Sequence, residues 1–317
     1  MSVLVFLEVS EGKVKKTSLE AVVYARLLSA GEVHALVAGN PSNLQEAAEL
    51  GAARIHRIGD SRFQQSDAAA FSEALAQLAS QTGAGTMVLA KSAFTDSLVA
   101  RCSVLWKAGL ATNVVGLPES GFRLKRSIFT GKAFEMVSLE TERKIISIRK
   151  NAAGMSASPA AGEVVDFQPQ VSPAAFALKS LSVEKTSGEV LLSDAEVVVS
   201  GGRGLKGPEN WSLVTDMAKV LGAATGCSKP VSDLHWRPHH EHVGQTGIKV
   251  SPNLYFAIGI SGAIQHVAGI SSSKVIVAIN KDADAPIFKV ANYGIVGDAF
   301  EILPKIIEAA KAFKASH

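Results

Sequence analysis

A series of glycine- or amide-rich turns punctuates the last third of the chain, each after an apolar run that reads as a strand. Gly201-Gly202-Arg203-Gly204 follows Val197–Ser200. Glycines let backbone N–H groups approach a phosphate, and Arg203 adds a forked, permanent cation. The spacing is not that of the dinucleotide fingerprint, so taken alone an ordinary tight βα turn is slightly favoured. Val243-Gly244-Gln245-Thr246-Gly247 offers an amide and a hydroxyl as directed donors to ring heteroatoms; alone, it reads as a polar turn. Gly259-Ile260-Ser261-Gly262-Ala263-Ile264-Gln265-His266 reads as a strand end, a turn and a helix start. That geometry points N–H groups at an anion and puts His266 one turn into the helix, as a ligand donor or a satisfied half-buried side chain. Asn280-Lys281-Asp282 ends another strand-like run, with Asn280 able to meet a purine or ribose edge or to make a plain turn. Asp298, between Gly297 and Ala299, is either a ribose-binding carboxylate or a helix N-cap. Each signal is weak by itself. Together they place polar turns at the ends of successive strands between residues 201 and 298, the arrangement by which open α/β sheets bind nucleotides.

Other reactive residues carry less. His235-Trp236-Arg237-Pro238-His239-His240-Glu241-His242 suggests a metal by composition. Pro238 forbids one continuous helix, so the imidazoles need not share a face. A surface or cofactor-adjacent loop is the expectation, with no metal. Cys102 and Cys227 have no Cys-x-x-Cys partner and are expected to be inert thiols.

Two α/β halves must position these turns. In the first, Val3–Leu7, Val33–Val37, Arg54–Ile58 and Thr86–Leu89 read as strands. Helical patterns lie between them at Leu19–Leu27 (Thr17 or Ser18 capping), Leu44–Leu50, Phe71–Leu78 and Thr95–Leu105. The alternation predicts a parallel sheet covered on both faces. Arg123–Thr130, Ala133–Leu139 and Lys144–Arg149 read as a hairpin-rich appendage. Residues 151–188, with Pro159, Pro169 and Pro173, read as a linker that leaves some freedom between the halves. We expect an N-terminal scaffold and docking domain over 1–185 and a cofactor-binding domain over 186–317. In the second half Leu213, Met217, Val220 and Leu221 mark a helix. Leu254–Ile260, Val275–Ile279 and Gly294–Val296 read as strands, and Ala299–Phe313 as a terminal helix interrupted at Pro304.

Composition excludes several classes. The 317 residues are 47% hydrophobic and 19% charged, against wholesale disorder. A net charge of +3 argues for neither nucleic acid nor an anionic membrane. Two cysteines do not make a disulfide scaffold. Met1 leads almost directly into a strand and no apolar run nears membrane-spanning length, so the expectation is a bacterial cytoplasmic chain, or a processed mitochondrial-matrix one, without membrane insertion.

The run Leu254–His266, then Gly269 and Ala278-Ile279-Asn280, resembles the signature of electron transfer flavoprotein α subunits. So do Gly201–Gly204, Val243–Gly247 and Ala285-Pro286-Ile287-Phe288 followed by Asp298. The resemblance is dense over residues 196–317 and looser before. It implies an α/β protein with a Rossmann-like C-terminal domain holding one FAD, paired with a β subunit that carries AMP or a second FAD. It implies electron transfer from flavin dehydrogenases, such as those of fatty acid β-oxidation, to a quinone reductase. By motif, Arg203 and Ser228 fall near the flavin or pyrophosphate, and Val243, Gly244, Gln245, Thr246 and Gly247 near the isoalloxazine, with Thr246 at N5. Ser261, Gly262, Ala263, Ile264 and Gln265 line the pyrophosphate and put His266 at the C2 carbonyl. Asn280, Lys281, Asp298 and Ala299 lie towards the adenosine. Reduction puts negative charge on the N1/C2=O edge, so a cation or N–H donor there stabilises it; His266 and Lys229 are the candidates. Lys229 departs from the family's usual Arg, a flexible point charge for a planar fork. Alternatives are an electron-bifurcating flavoprotein, a stand-alone flavin or nicotinamide enzyme, or a nucleotide-binding module without redox activity.

Overall fold

The computed structural model describes residues 2–65, 68–131, 133–178, 191–192 and 195–316. They form two compact units, Met1–Ile128 with Ala133–Val183, and Phe129–Lys132 with Glu184–His317. The expected boundary at residue 185 lies outside the described residues.

Unit 1 contains β1 (Ser2–Leu7), a short hairpin of β2 (Val9–Ser10) and β3 (Lys13–Val14), β4 (Val33–Ala38), β5 (Arg54–Ile58), β6 (Ala84–Ala90), β7 (Gly109–Val114), β8 (Arg123–Ile128), β9 (Ala133–Ser138), β10 (Lys144–Ile148) and β11 (Glu163–Asp166). Its helices are α1 (Lys16–Leu28), α2 (Gln45–Glu49), α3 (Ala68–Gln81) and α4 (Ala93–Trp106). The main sheet runs β11-β5-β4-β1-β6-β10-β7-β8-β9. It is parallel except where β8 pairs with β7 and β9. β1 is apolar throughout because both faces are covered. Val3, Val5 and Leu7 share a core with Leu19, Val22 and Val23 of α1. Leu4 and Phe6 share the other with Phe71 and Leu75 of α3 and Leu98 and Val99 of α4.

Three local expectations are corrected. β8 and β9 do form a hairpin, but β10 lies inside the parallel sheet between β6 and β7. A buried Ile-Ile-Ser-Ile run suits that central place better than an appendage edge. Neither Thr17 nor Ser18 caps α1; the helix begins at Lys16, and the Ser18 hydroxyl accepts from the Glu8 N–H at 3.0 Å. The described part of the linker-like stretch is a strap on unit 1. The N–H groups of Asn151, Ala153 and Gly154 donate to the buried Glu20 carboxylate at 2.9–3.0 Å. The Ser158 and Ala160 N–H groups donate to Glu49 and Ala48. β11 then extends the sheet beside β5.

Unit 2 contains β12 (Val197–Gly201), β13 (Ala224–Cys227), β14 (Leu254–Ile258), β15 (Val275–Asn280) and β16 (Tyr293–Val296), with α5 (Ser212–Leu221), α6 (Lys229–Asp233), α7 (Ile264–Ile270) and α8 (Ala299–Ser316). The order is β13-β12-β14-β15-β16, with every pair parallel. The chain starts at β12, steps to one side for β13, then returns past β12 to β14. The order therefore reverses between β12 and β14, and a crevice opens outside the carboxyl ends of such strands. Val198, Tyr255 and Ala257 face one core, and Val199, Phe256 and Ile258 the other with α5 and α8. α8 is not interrupted at Pro304. The proline is exposed and lies in the helix's second turn, so it removes one bond without a core clash. Among the described residues no helix is long and apolar enough to cross a membrane.

Glu20 gives a direct test of the strap. Removing its carboxylate in Glu20→Ala strands three backbone donors, and leaving buried donors unsatisfied should cost about 2–4 kcal/mol. The check is the urea midpoint together with amide exchange over 151–160; wild-type values for both would contradict the strap's role.

Candidate functional site

Every turn singled out above is brought to the carboxyl edge of unit 2. Residues 202–206 follow β12, Ser228 and Lys229 follow β13, 259–263 follow β14, Asn280–Asp282 follow β15, and Gly297–Ala299 follow β16. The crossover from β13 to β14 carries 243–247 against the start of α7, where the Gln245 N–H donates to the Gln265 carbonyl at 2.7 Å.

The glycines are there chiefly for packing. The Gly202 N–H donates to Ile258 at 2.8 Å and the Gly204 N–H to Gly259 at 3.0 Å. A Cβ on Gly202 would overlap the Gly259 carbonyl, and one on Gly204 would stand 2.7 Å from the Gly259 Cα. Gly259 has φ of +61°, open to glycine at little cost. Those two N–H groups therefore tie the switch point together instead of pointing at a phosphate, as the ordinary tight βα turn favoured for this motif on its own would have them do. Arg203 and Lys206 beside them are the exposed cations of this turn. A Cβ on Gly262 would run into Ile287, whose N–H donates to the Ser261 carbonyl at 3.0 Å. That contact explains why Ala285-Pro286-Ile287 accompanies the Ser261-Gly262 turn.

His266 is 6% exposed. Its Nε2 lies 3.0 Å from the Tyr255 hydroxyl; its buried Nδ1 makes no hydrogen bond of full geometry among the described residues, and the ring has a weaker hydrogen-bonding contact with the Val243 backbone. Burial pushes the imidazole down to about 4; the Val243 backbone raises it and His242 lowers it, both by less. His266 is thus neutral at pH 7, so of the two expected roles, cation or N–H donor, it is suited to the second. Lys229 Nζ lies 3.3 Å from Asp233, four residues on, in an exposed pair.

Asn280 spends its side chain on the loops: Nδ2 donates to the Ile260 carbonyl at 2.9 Å, and Oδ1 accepts from the Asp282 N–H at 3.0 Å. Asp298 does two jobs. Its Oδ1 accepts from the Phe300 N–H in the first turn of α8, and its Oδ2 lies 2.6 Å from Lys281 Nζ. The hydrogen bond from Lys281, then that from Phe300, holds its carboxyl below the usual carboxylate range. Ala299 is the buried first residue of α8.

The histidine-rich loop divides. His239 and His240 are exposed, whereas Glu241 and His242 are buried. Glu241 takes both oxygens to Arg237, whose guanidinium lies 5.6 Å from the Trp211 ring. Among the described residues no cluster of three His, Cys, Asp or Glu side chains could hold a metal. Cys102 and Cys227 are buried free thiols, each pushed up to about 12 chiefly by burial. Sequence gives no individual role to Tyr255, inside the Leu254–His266 run, or to His242, Arg237 and Glu241, inside the histidine-rich loop. Tyr255 sits inside an apolar strand, and its relation to His266 appears only when β14 is set beside α7.

This edge has the features of a nucleotide cofactor site: cations at the switch-point turn, an exposed amide and hydroxyl at Gln245 and Thr246, and a buried imidazole at His266. Residues 191–271 match the family model for the electron transfer flavoprotein FAD-binding domain, and residues 3–172 that for the electron transfer flavoprotein domain. The chain is similar to electron transfer flavoprotein subunit alpha of Bacillus subtilis, 34% identical over 98% of this chain and 97% of the relative. It is 37% identical to the subunit alpha of Mycobacterium tuberculosis, over 98% and 99%. It is 36% identical to a probable mitochondrial subunit alpha of Cryptococcus neoformans, over 97% and 91%.

The Gly259 contact is testable. Gly259→Ala adds a Cβ 2.9 Å from the Gly204 Cα at a positive φ, a strain of roughly 1–3 kcal/mol. Amide exchange in β12 and β14 should quicken; unchanged protection would contradict the tight crossing.

Proposed function

Since this chain belongs to the electron transfer flavoprotein α-subunit family, we propose that it holds one FAD along the carboxyl edge of unit 2. With a β subunit carrying AMP or a second FAD, it passes electrons from flavin dehydrogenases, such as acyl-CoA dehydrogenases, to a quinone reductase. The setting is a bacterial cytoplasm, or a mitochondrial matrix for a eukaryotic chain. The observation that carries this reading is the gathering of five strand-end turns on one edge of unit 2, beside the nearly fully buried imidazole of His266. A buried imidazole offers an oriented donor to an acceptor that enters the site, and a flavin carbonyl is the acceptor the family would bring to it.

The bound flavin supplies the electron chemistry. The chain's residues bind and orient it. Arg203 and Lys206 would face the pyrophosphate, together with the backbone at Ile264 and Gln265 that opens α7. Ser228, Gln245 and Thr246 address the isoalloxazine. His266, neutral and anchored at Nε2 by Tyr255, donates from Nδ1 to the C2 carbonyl, provided the tautomer places the proton there; Tyr255 then donates to Nε2. Asn280 acts chiefly by tying the β14 and β15 turns, and the Lys281–Asp298 pair closes the adenosine end. No side chain serves as nucleophile or general acid.

Co-expression with the β subunit should give a yellow complex with one FAD per α chain by extraction and absorption, and a second FAD would place another on β. A colourless complex that takes up no added FAD would overturn the reading. Replacing His266 by Phe removes a donor to a site that gains negative charge. Reduction should become about 1.5–3 kcal/mol less favourable, read as a lower midpoint potential; an unchanged potential would contradict the assignment.

A further inference from the structure

His242 was not assigned by any motif, yet it is the side chain around which the Val243–Gly247 turn is folded. It is 7% exposed. A Cβ on Gly247 would stand 2.8 Å from its Cγ and Nδ1, and a Cβ on Gly244 would stand 3.2 Å from its Nε2. The imidazole thus occupies the volume that side chains at both glycines would claim. The main chain closes around it: the Ile248 N–H donates to the His242 carbonyl at 2.8 Å, and the Gly244 N–H to the Ile248 carbonyl at 3.2 Å. On the far side the turn abuts α7, through the Gln245 N–H on Gln265 and through Gly269, whose Cβ would stand 2.6 Å from Gly244. Gln245 and Thr246 are therefore held between one imidazole and one helix.

We propose that His242 is the positioning residue of this turn: its neutral ring sets where the Gln245 amide and Thr246 hydroxyl stand, and its protonation unseats them. This rests on the reading that the turn faces FAD. The charged surroundings give the sign. Lys229 and Asp233 of α6, His239 of the preceding loop, and His266 of α7 face the ring; the adjacent Glu241 is paired with Arg237. Burial first, then Lys229, hold His242 below its ordinary value; His239 adds to this, and Asp233 alone opposes. A histidine depressed in the seated state stabilises that state above the ordinary imidazole range, near 6.5, and the contribution is lost as pH falls below it. His266, held down to about 4, stays neutral across most of that interval. The two imidazoles can be told apart by pH.

The test is FAD affinity of the αβ complex, by flavin fluorescence, between pH 7.5 and 5.5. Wild type should weaken about fivefold or more over that interval. His242→Gln, which fills the space without titrating, should weaken less than about twofold between pH 7.5 and 5.5, whatever its affinity at pH 7.5. An acid loss in His242→Gln equal to that of wild type would overturn the proposal. The second measurement needs no flavin: in the FAD-free complex, the Gln245 and Thr246 amide signals should shift with the same midpoint as the His242 ring protons. Amides that ignore that titration would overturn the proposal even if the variant fails to fold. If the wild-type complex bound no FAD at any pH, the cofactor reading would fall, and the amide titration would still decide the role of His242.

Discussion

Unit 2 depends on one packing constraint, the contact of bare backbone with bare backbone at the point where strand order reverses. Gly202 and Gly204 after β12 lie against Gly259 after β14, joined by two N–H···O bonds. With side chains at any of the three, the turns would part, and the crevice between the two strands would lose its floor. A second crossing of the same kind sets Gly269 of α7 on Gly244. It carries the 243–247 turn, far along the chain from β12, to the same edge. Glycine is expensive in conformational entropy. Here it removes the volume that keeps loops apart, and this explains the glycine pattern better than direct phosphate contact does.

Around that floor the charges are arranged in pairs. Lys281 meets Asp298, Lys229 meets Asp233, and Arg237 closes on the buried Glu241. The exposed pairs Lys281–Asp298 and Lys229–Asp233 contribute little stability. Lys281–Asp298 ties the turn after β15 to the turn after β16, Arg237–Glu241 closes the histidine-rich loop on itself, and Lys229–Asp233 lies within α6. The imidazoles closest to the proposed isoalloxazine, His242 and His266, are both held neutral, mainly by burial. On the proposed placement, the buried His266 imidazole would meet the charge of a reduced flavin as a neutral donor, where a hydrogen bond is worth more than it is in water.

The strand-end turns were legible because their chemistry is local. A strand followed by Ser-Gly and a helix start carries its meaning in consecutive residues, and a parallel sheet puts all such turns at one edge. The α/β class was legible for the same reason: Val3–Leu7 and Val197–Ser200 are apolar on both faces. What escaped depends on distant partners. Nothing in residues 151–160 shows that Glu20 accepts three of their N–H groups, so the strap reads as a linker. The place of β10 inside the sheet is a matter of topology that its own residues do not encode. β13, with a Gly among four residues, is too short to signal. His242 looked like one of four similar histidines until the fold buried it and left His239 and His240 in solvent.

The central claim is that the strand-end turns of unit 2 and the 243–247 crossover turn make a single flavin edge. Amide hydrogen exchange of the αβ complex with and without FAD tests it most directly. The account predicts that added FAD slows exchange together at 202–206, 243–247, 261–266, 280–282 and 297–299, with the β4 and β5 ends of unit 1 unchanged. Protection confined to one of those turns, or appearing instead at the strand ends of unit 1, would contradict it.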